Sequence, residues 1–439
     1  MRDFAVSEHP GVQAQLDRLA ALSLPQGRLS LDPIRALLAR LGDPQHALPP
    51  VFHVAGTNGK GSTCAFLRAA LEAAGCRVHV YTSPHLVRFN ERIRLAGRLI
   101  DDDALAGLLG EVLDTAGDSP VSFFEATTAA AFLAFARTPA DVCVIEVGLG
   151  GRLDATNVVG APAVCGIASL GIDHEAFLLA PEPGTPDLPL ARIAWEKAGI
   201  AKPGVPLVTL AYPAPAARAV AEVAAAAEAP VIAAARDWSF SVERDAVRYN
   251  GTITLPLPAM LGAHQAANYA LAVAMLRHQQ AIVVPDAALA AAATDAHWPA
   301  RLQRLGPGPL TALAPGRTIW LDGGHNRDAG AALARFFSRQ ASPGSLDLVI
   351  AMLAGKDPDA ILGALAPWLR SVTALPVPGH DSHPPEVFAA LARRRTLNFA
   401  SAEHIAEVLD WLPPGGDVLI AGSLYLAGEV LRLNREWPD

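Results

Sequence analysis

Short apolar runs alternate along the chain with longer segments of helical spacing, and this alternation predicts an α/β protein with a doubly wound, mostly parallel sheet. Strands are predicted at residues 51–55, 77–81, 140–147, 162–170 and 205–210. Helices are predicted at 64–72, 101–116, 123–137, 191–200, 213–229, 263–279 and 286–296, and the first fifty residues are expected to hold one helix, at 33–41. Residues 238–257 alternate with period two around Tyr249-Asn250-Gly251-Thr252, which predicts an antiparallel hairpin.

The alternation starts again after His297, so we expect a first domain at residues 1–297 and a second at 298–439. Strands are predicted there at 318–322, 346–353, near Val372, near Leu397 and at 417–421, and helices at 327–339, 358–369, 384–395 and 402–411. Arg301 is expected to begin a strand. The fold class is therefore a P-loop-type domain followed by a smaller, Rossmann-like α/β domain, with a cleft expected between them.

Composition narrows the classes of function. The 439 residues are 51% hydrophobic and 18% charged with a net charge of −8, which excludes wholesale disorder and gives no basic surface for nucleic acid. Four cysteines without a Cys-x-x-Cys pair indicate a reduced, cytoplasmic protein without a zinc framework. The first ten residues lack the apolar core of a secretory signal, and the apolar run 126–136 is too short to span a membrane. Nothing in the sequence demands a dimer, so a monomer is expected.

The predicted strand at 51–55 runs into a glycine-rich loop, Gly56-Thr57-Asn58-Gly59-Lys60-Gly61-Ser62-Thr63, and then into a helix. In that setting glycines let backbone N–H groups approach phosphate oxygens, the helix N-terminus attracts anions, and the lysine adds a point charge. The general nucleotide loop has Ser or Thr directly after the lysine, whereas Gly61 intervenes here. A glycine-rich turn with a solvated lysine is the alternative.

Polar residues also stand where other predicted strands end. Glu146 closes the strand at 140–147, His174 follows the strand at 162–170, and Ser83 follows the strand at 77–81. Carboxyl ends of parallel strands meet at one edge of a sheet, so these side chains are candidates for magnesium ligands, with Ser62 as a further hydroxyl. A solvated strand-end acid and a structural histidine are the alternatives.

The second domain repeats the arrangement of strand, glycine turn and helix at Trp320-Leu321-Asp322-Gly323-Gly324-His325-Asn326. Asp322 could accept ribose hydroxyl groups, and His325 could face the cleft. The same segment also fits a simple capping loop with Asn326 as N-cap, and both interpretations are compatible. Arg301 could neutralise phosphate or be a linker charge.

Seven motifs stand in order along nearly the whole chain, and together they resemble the bacterial dihydrofolate synthase/folylpolyglutamate synthase family of the Mur ligase superfamily. They are Gly56-Thr57-Asn58-Gly59-Lys60-Gly61-Ser62, Thr82-Ser83-Pro84-His85-Leu86, Glu146-Val147-Gly148-Leu149-Gly150-Gly151-Arg152-Leu153-Asp154-Ala155-Thr156-Asn157, Asp173-His174, Trp195-Glu196-Lys197-Ala198-Gly199-Ile200, Asp322-Gly323-Gly324-His325-Asn326 and Gly422-Ser423-Leu424-Tyr425-Leu426.

The resemblance implies an ATP-dependent amide ligase that joins L-glutamate to dihydropteroate or a reduced folate through an acyl phosphate, releasing ADP and phosphate. It assigns ATP binding to Asn58, Gly59, Lys60, Gly61, Ser62, Asn268, Arg301 and Asp322, and the metal to Ser83, Glu146 and His174. Two Mg²⁺ ions are implied as cofactors, with a monovalent cation as a further candidate. Lys60, Lys197 and His325 are the implied catalytic residues.

The resemblance assigns the pterin or folate to Gln26, Gly27, Arg28, Leu29, Ser122, Phe123, Phe124, Glu125, Leu153, Asp154 and Ala155. The two phenylalanines offer flat apolar faces to an aromatic ring, and packing at the start of a helix is an equal alternative. Glutamate is assigned to His325 and Ser423. Lys197 is implied to be carboxylated by carbon dioxide, whereas the sequence alone indicates a lysine on a helix surface.

Two other functions remain open at this stage: a Mur-type ligase acting on a UDP-muramoyl substrate, and a nucleotide-gated scaffold without catalysis. The chain also departs from the family pattern. The proline-rich residues 180–189 lengthen the spacing between His174 and Lys197 and are expected to form a loop insertion. Ala168 and Glu175 stand where the family often has Thr, and Pro299-Ala300-Arg301 replaces Pro-Gly-Arg.

Overall fold

A computed structural model describes residues 5–22 and 30–439 of the chain. The chain divides into two compact units, the first formed by Met1–Ala259 with Gln265–His297 and the second by Met260–His264 with Trp298–Asp439. Within the described ranges, no helix is both long enough and apolar enough to cross a lipid bilayer.

The first unit is built on an eight-stranded sheet with the order β4-β3-β2-β5-β1-β6-β7-β8. The run from β2 to β8 is parallel, and β3 and β4 add an antiparallel edge. The strands are β1 (Val51–Ala55), β2 (Val78–Tyr81), β3 (Ile93–Leu95), β4 (Arg98–Leu99), β5 (Val142–Glu146), β6 (Val164–Ile167), β7 (Leu207–Thr209) and β8 (Val231–Ala233). The central strands are buried along their whole length, which explains their continuous apolar runs.

Helices cover both faces of this sheet and give it two separate cores. Cys143 and Ile145 of β5 belong to the core that α1, α2, α4 and α5 complete, whereas Cys165 and Leu207 belong to the core beneath α7 and α8. The helices of the unit are α1 (Pro10–Ala21), α2 (Asp32–Arg40), α3 (Lys60–Ala73), α4 (Asp102–Ala116), α5 (Phe123–Arg137), α6 (Glu175–Leu178), α7 (Pro189–Ala198), α8 (Ala214–Ala226), α9 (His264–Arg277) and α10 (Asp286–Asp295).

A three-stranded antiparallel sheet follows, formed by β9 (Phe240–Val242), β10 (Ala246–Tyr249) and β11 (Ile253–Pro256). Asn250 and Gly251 connect β10 to β11 with φ angles of 50° and 68°. Two successive positive φ values are those of a type I′ turn, whose twist matches the flanking strands. The predicted hairpin is confirmed.

The second unit carries a six-stranded sheet with the order β12-β13-β17-β14-β15-β16, in which only β12 is antiparallel among the described strands. The strands are β12 (Gln303–Arg304), β13 (Ile319–Leu321), β14 (Leu346–Ile350), β15 (Leu369–Ala374), β16 (Asn398–Ser401) and β17 (Asp417–Ala421). The helices are α11 (Arg327–Gln340), α12 (Asp359–Leu365), α13 (Pro385–Arg393), α14 (Ile405–Trp411) and α15 (Leu424–Asn434). The predicted fold class, two open and mostly parallel α/β sheets, is confirmed.

Three local predictions were wrong. The first fifty residues contain α1 as well as α2, because His9 caps α1 and Pro10 suits its first turn, although the helix has only a narrow apolar stripe. Arg301 does not begin a strand, since β12 starts at Gln303. The strand at 417–421 is not the last element of the chain, because a helix that was not predicted, α15, follows it. The Ser423 side chain caps this helix.

Candidate functional site

The phosphate-loop candidate occupies the turn between β1 and α3. Gly59 stands at the N-cap of α3 with φ 83°, a conformation that favours glycine, and Lys60 is the first residue of the helix. The loop thereby presents the N-terminus of a 14-residue helix beside the carboxyl end of a central strand. Backbone N–H groups with this orientation bind anions.

Asn268 of α9 lies directly against this loop. It is 3% exposed, and a Cβ built on Gly59 would lie 2.3 Å from its Oδ1 atom. The Asn268 side chain donates a hydrogen bond of 3.0 Å to Gln265 Oε1, and the buried Gln265 Nε2 atom lacks a hydrogen-bond partner. Asn268, which the family resemblance assigns to ATP although it is distant in sequence, therefore lies at the phosphate loop.

Lys60, Glu146 and Ser83 meet at the carboxyl ends of three adjacent strands, because β2, β5 and β1 are neighbours in the sheet. Lys60 Nζ lies 4.0 Å from Glu146 Oε1, and the Ser83 backbone N–H donates a hydrogen bond of 3.2 Å to Glu146 Oε2. Glu146 is 4% exposed. Burying an ionised carboxylate costs free energy unless positive charge nearby compensates it. Lys60 is one such group, and a bound cation would be another.

The segment that carries Asp173 and His174 is attached to the phosphate loop. The Thr57 hydroxyl donates to Gly171 O at 3.0 Å and accepts the Gly171 N–H at 3.1 Å. On the same segment, the Thr57 N–H donates to Ser169 O at 2.7 Å. His174 follows at φ 54° at the start of α6 and is half-buried. Its role as a ligand stays a prediction.

The donor set at this edge fits a hard divalent cation. A carboxylate, hydroxyl groups and one imidazole suit Mg²⁺ or Mn²⁺, which prefer oxygen ligands. The Ser62 Oγ atom, in the first turn of α3, is buried and lacks a hydrogen-bond partner, so a ligand there would satisfy it. In the described ranges, no group of three or more His, Cys, Asp or Glu side chains forms a preformed metal cluster. Nucleotide oxygens would have to complete the shell.

Lys197 is buried near the C-terminal end of α7, whereas its sequence suggested a solvated lysine. Burial, followed by repulsion from Lys60, lowers the pKa of Lys197 to about 7. A lysine with such a pKa exposes a neutral, nucleophilic amine near neutral pH. The loop after β5 packs closely against the C-terminal end of α7. A Cβ built on Gly151 of that loop would lie only 2.9 Å from Lys197 O.

The predicted pterin residues are ordered by local hydrogen bonds. Ser122 and Glu125 form a capping box at α5, with the Ser122 N–H donating to Glu125 Oε2 at 2.7 Å. Phe123 and Phe124 are half-buried and pack against the core. The core-packing alternative is therefore confirmed for both rings, and the pterin contact stays a prediction.

Asp154 of the predicted pterin segment is buried and accepts several hydrogen bonds. Its Oδ2 atom accepts the Leu149 N–H at 2.8 Å, and its Oδ1 atom accepts both the N–H and the hydroxyl of Thr156, at 3.0 and 2.5 Å. Burial raises the pKa of Asp154. Leu153 and Ala155 flank it in the same turn. The predicted residues Gln26, Gly27, Arg28 and Leu29 lie outside the described residues.

In the second unit, Asp322 orders the loop after β13. Its carboxylate accepts the Leu302 N–H at 2.8 Å and the Gly324 N–H at 2.7 Å, while His325 Nδ1 lies 3.1 Å from Gly323 O. Asn326 caps α11, so the capping-loop interpretation is confirmed.

The other predicted residues of this unit are also held by hydrogen bonds. Arg301 Nη1 donates to Ala300 O at 2.9 Å. The buried Ser423 side chain accepts the Tyr425 N–H at 3.1 Å. The nucleotide role of Arg301 and the glutamate role of Ser423 stay predictions.

Sequence reasoning missed the residues that hold these elements together. Thr57 was included only as part of a motif. Arg152, Glu182, Arg192 and Glu196 form a half-buried to buried ion-pair cluster that was not anticipated. One signal was available, since the Arg192–Glu196 spacing of four residues is that of a helical ion pair. The other partners are distant in sequence.

The individual relatives and the solved structures to which this chain is similar come from one family. No protein-family model matches the chain. It is 36% identical over 348 residues to the dihydrofolate synthase/folylpolyglutamate synthase of Escherichia coli strain K12, covering 78% of this chain and 76% of the relative. It is 32% identical over 427 residues to the folylpolyglutamate synthase of Lacticaseibacillus casei, covering 90% and 92%. The chain spans about half the length (47%) of a probable bifunctional folylpolyglutamate synthase/dihydropteroate synthase of Haloferax volcanii, to which it is 33% identical over 423 residues, or 90% of this chain.

Solved structures are similar over nearly the whole chain. Escherichia coli FolC in complex with DHPP and ADP superimposes with a TM-score of 0.83 at 30% identity, covering 96% of this chain and 97% of that one. A bifunctional folylpolyglutamate synthase/dihydrofolate synthase with Mn, AMPPNP and L-glutamate bound gives a TM-score of 0.80 at 28% identity, covering 96% and 97%.

Proposed function

This chain belongs to the dihydrofolate synthase/folylpolyglutamate synthase family of the Mur ligase superfamily, and from that premise we propose which of its residues perform the reaction. The protein is an ATP-dependent ligase that joins glutamate to folates. We propose that it accepts both dihydropteroate, giving dihydrofolate, and reduced folates, giving folylpolyglutamates. The observation that carries the assignment of the site is the approach of Lys60 to the buried Glu146 carboxylate, beside Ser83 and at the N-terminus of α3.

The proposed reaction runs in two steps. A carboxylate oxygen of the pterin substrate attacks the γ-phosphorus of ATP, the bond to the β-phosphate oxygen breaks, and ADP leaves. The amino group of L-glutamate then attacks the acyl carbon, loses a proton and expels inorganic phosphate. The phosphate-loop N–H groups and Lys60 stabilise charge that develops on the transferred phosphoryl group. Exclusion of water protects the acyl phosphate from hydrolysis.

We propose that Ser83, Glu146 and His174 hold the divalent cation, with Ser62 as a further hydroxyl close to the phosphates. A bound Mg²⁺ supplies charge neutralisation for the triphosphate. The buried Glu146 carboxylate and the unpartnered Ser62 Oγ support this assignment. A relative bound to Mn and AMPPNP supports a divalent metal together with ATP. We also propose that the protein binds two Mg²⁺ ions and a monovalent cation.

Asn58, Gly59, Lys60, Gly61 and Ser62 bind the triphosphate in this proposal, with Asn268 beside Gly59. Asp322 and Arg301 of the second unit are proposed to contact the nucleotide, and His325 and Ser423 to contact glutamate. The domain expected at residues 1–297 is proposed to bind ATP and pterin, and the domain expected at 298–439 is proposed to bind glutamate. The ordered loop around Asp322 supports a binding role, because its backbone is fixed before any ligand arrives.

Lys197 is proposed to be carboxylated. Reaction with carbon dioxide requires a neutral amine, and burial that lowers the pKa of Lys197 to about 7 provides one near neutral pH. Carboxylation would convert this neutral amine into an anionic carbamate, with release of a proton, and the anion would suit a second cation. With ¹³C-bicarbonate we expect a carbamate carbon signal in the NMR spectrum of the wild type. The proposal is wrong if the Lys197→Met variant gives the same signal.

The pterin is proposed to lie against Phe123 and Phe124, with Ser122, Glu125, Leu153, Asp154 and Ala155 around it. Two neighbouring aromatic residues that are only partly buried support this proposal, because aromatic side chains stack on flat heterocycles. A cytoplasmic location and a monomeric state stay predictions.

The decisive experiment measures inorganic phosphate released with ATP, Mg²⁺ and L-glutamate, with either dihydropteroate or tetrahydrofolate as acceptor. Release with both acceptors supports the bifunctional assignment, and release with only one restricts it. Release with a UDP-muramoyl acceptor but with neither pterin would instead favour the Mur-type alternative. ATP binding without turnover on any acceptor would favour a nucleotide-gated scaffold.

A further inference from the structure

Residues 180–188 connect α6 to α7, and we refer to this segment as the strap. It contains three of the chain's prolines, and most of its side chains are exposed. Glu182 is the exception among its charged residues, because its side chain is 17% exposed, whereas Asp187 of the same segment lies in the exposed class. A charged side chain that turns inward from a surface connection needs partners of opposite charge.

Glu182 finds those partners on two other segments. Its Oε2 atom lies 2.9 Å from Arg152 Nη2 and 3.2 Å from Arg192 Nη2. Both guanidinium groups also reach Glu196 Oε1, at 3.0 Å and 3.2 Å. The two acids and two bases therefore form a charge-balanced cluster in which each acid contacts both bases. Arg192 and Glu196 are 5% and 8% exposed, so solvent screens this cluster poorly.

The cluster joins three parts of the first unit. Arg152 belongs to the loop that follows β5, residues 147–154, which we call the glycine loop. Arg192 and Glu196 belong to α7, and Glu182 belongs to the strap. The Arg152 N–H also donates to Glu196 O at 2.8 Å. The Trp195 ring lies under both guanidinium groups, with Arg152 Cζ 4.5 Å and Arg192 Cζ 4.9 Å from its centroid. These contacts fix the rotation of α7 against the loop.

Both joined elements carry residues of the proposed site. Glu196 directly precedes Lys197, and Arg152 stands two residues before Asp154 in a loop whose N-terminal end is Glu146. We propose that Glu182 is a positioning residue that balances the charge of Arg152 and Arg192 and thereby sets Lys197 against the glycine loop. The strap is then part of the ligase site. The catalytic part of this proposal rests on the proposed function of Lys197.

The test compares Glu182→Gln with Asp187→Asn, since each substitution removes one negative charge from the same strap and only Glu182 belongs to the cluster. Steady-state phosphate release should show kcat about ten- to a hundredfold lower for Glu182→Gln, with the KM for ATP changed less than about twofold, because the phosphate loop is not part of the cluster. Asp187→Asn should keep the wild-type kcat. Glu182→Asp, which keeps the charge on a shorter side chain, should lower kcat by a smaller factor than Glu182→Gln does.

Amide hydrogen exchange supplies a readout that does not depend on activity. Glu182→Gln should raise exchange in residues 148–154 and 190–200, as well as in the strap, at an unchanged thermal unfolding midpoint of the rest of the unit. Faster exchange confined to residues 178–190, together with a wild-type kcat, would overturn the proposal, because Glu182 would then only hold down a surface connection. Equal kcat and exchange in Glu182→Gln and Asp187→Asn would overturn it as well.

Two further outcomes are decided by the same set of variants. If Glu182→Gln does not fold, Glu182→Asp still tests the proposal, with a smaller loss of kcat expected and an unchanged kcat contradicting it. If the wild type releases no phosphate with any folate acceptor, the proposed function fails. The exchange measurement then still decides whether Glu182 positions α7 against the glycine loop.

Discussion

At the scale of single residues, burial decides the charge of the groups nearest the site. Lys197 and His53 are both buried bases, and removal from water lowers the pKa of each, to about 7 and to about 3. The neutral amine of Lys197 is the group that we propose to be carboxylated. His53 lies within β1 and its Nε2 atom is 2.9 Å from the Thr156 hydroxyl, so it serves the packing beneath the glycine loop.

His53 should make the protein sensitive to acid. The folded-state pKa of about 3 lies below the ordinary value of 6.5, so between these pH values the unfolded state binds one more proton than the folded state. The stability contribution is therefore complete above pH 6.5 and is lost as the pH falls toward 3. Urea unfolding should show a loss of about 2 kcal/mol between pH 7 and pH 5 that is absent in His53→Gln.

The matched control for that experiment is His46→Gln, which changes an exposed histidine of the same unit. It should keep the wild-type dependence of the unfolding free energy on pH. If His53→Gln and the wild type lose the same free energy between pH 7 and pH 5, His53 is not the group that titrates.

Glu146 should be essential for turnover and dispensable for folding. Glu146→Gln keeps the shape of the side chain and the acceptor for the Ser83 N–H but removes the charge that faces Lys60. We expect kcat to fall by about a hundredfold to a thousandfold, as when charge stabilisation at a transition state is removed. The thermal midpoint should change little. A kcat within threefold or so of the wild type would exclude Glu146 from the metal or phosphate site.

At the scale of elements, the N-terminus of α3 depends on a glycine that does two things. Gly59 adopts φ 83°, and it leaves space for Asn268 Oδ1. Gly75, after the C-terminus of the same helix, has φ 87° and nothing within 4 Å of a Cβ. The two positions therefore share the conformational requirement and differ only in the close approach.

Alanine substitutions at Gly59 and Gly75 should separate the effect of the backbone conformation from the effect of the close approach to Asn268. Gly75→Ala should lower the free energy of unfolding by about 1–2 kcal/mol and leave the affinity for ATP unchanged, because only the backbone conformation is penalised. Gly59→Ala should in addition displace Asn268 and weaken ATP binding by about tenfold or more. Fluorescent-nucleotide titration and urea unfolding measure the two quantities. Equal ATP affinities in the two variants would contradict the placement of Asn268 at the phosphate loop.

At the scale of the whole molecule, the increase in stability that a bound nucleotide causes should show whether nucleotide binding requires a metal ion. A ligand that binds only the folded protein stabilises it by about 2.7 kcal/mol at one hundred times its Kd. AMPPNP with Mg²⁺ should therefore raise the unfolding midpoint, and EDTA should remove most of the increase if nucleotide binding requires the cation. EDTA without nucleotide is the control and should have no effect. An AMPPNP effect that survives EDTA would argue against metal-dependent nucleotide binding.

Much of the fold follows from the sequence because the signals are local. The bounds of β1, α5 and β17 agree with those predicted, since each element combines a continuous apolar or helical pattern with clear end signals. The motifs, read in order, were enough to identify the family. Helix α1 was not predicted because its buried residues, Val12, Leu16 and Leu19, form only a narrow apolar stripe. Such a stripe indicates a buried helix face only once the helices packed against it are known.

The tertiary structure alone decided which side chains meet and which charges are buried. No local pattern predicts that Thr57 bonds Gly171, that Asp154 accepts the Leu149 N–H, or that Glu182 reaches Arg152. Lys197 reads as a surface residue until its neighbours are known. The reason is physical: strand and helix preferences arise from neighbouring residues, whereas pairing, desolvation and pKa depend on atoms contributed by segments far apart in the chain.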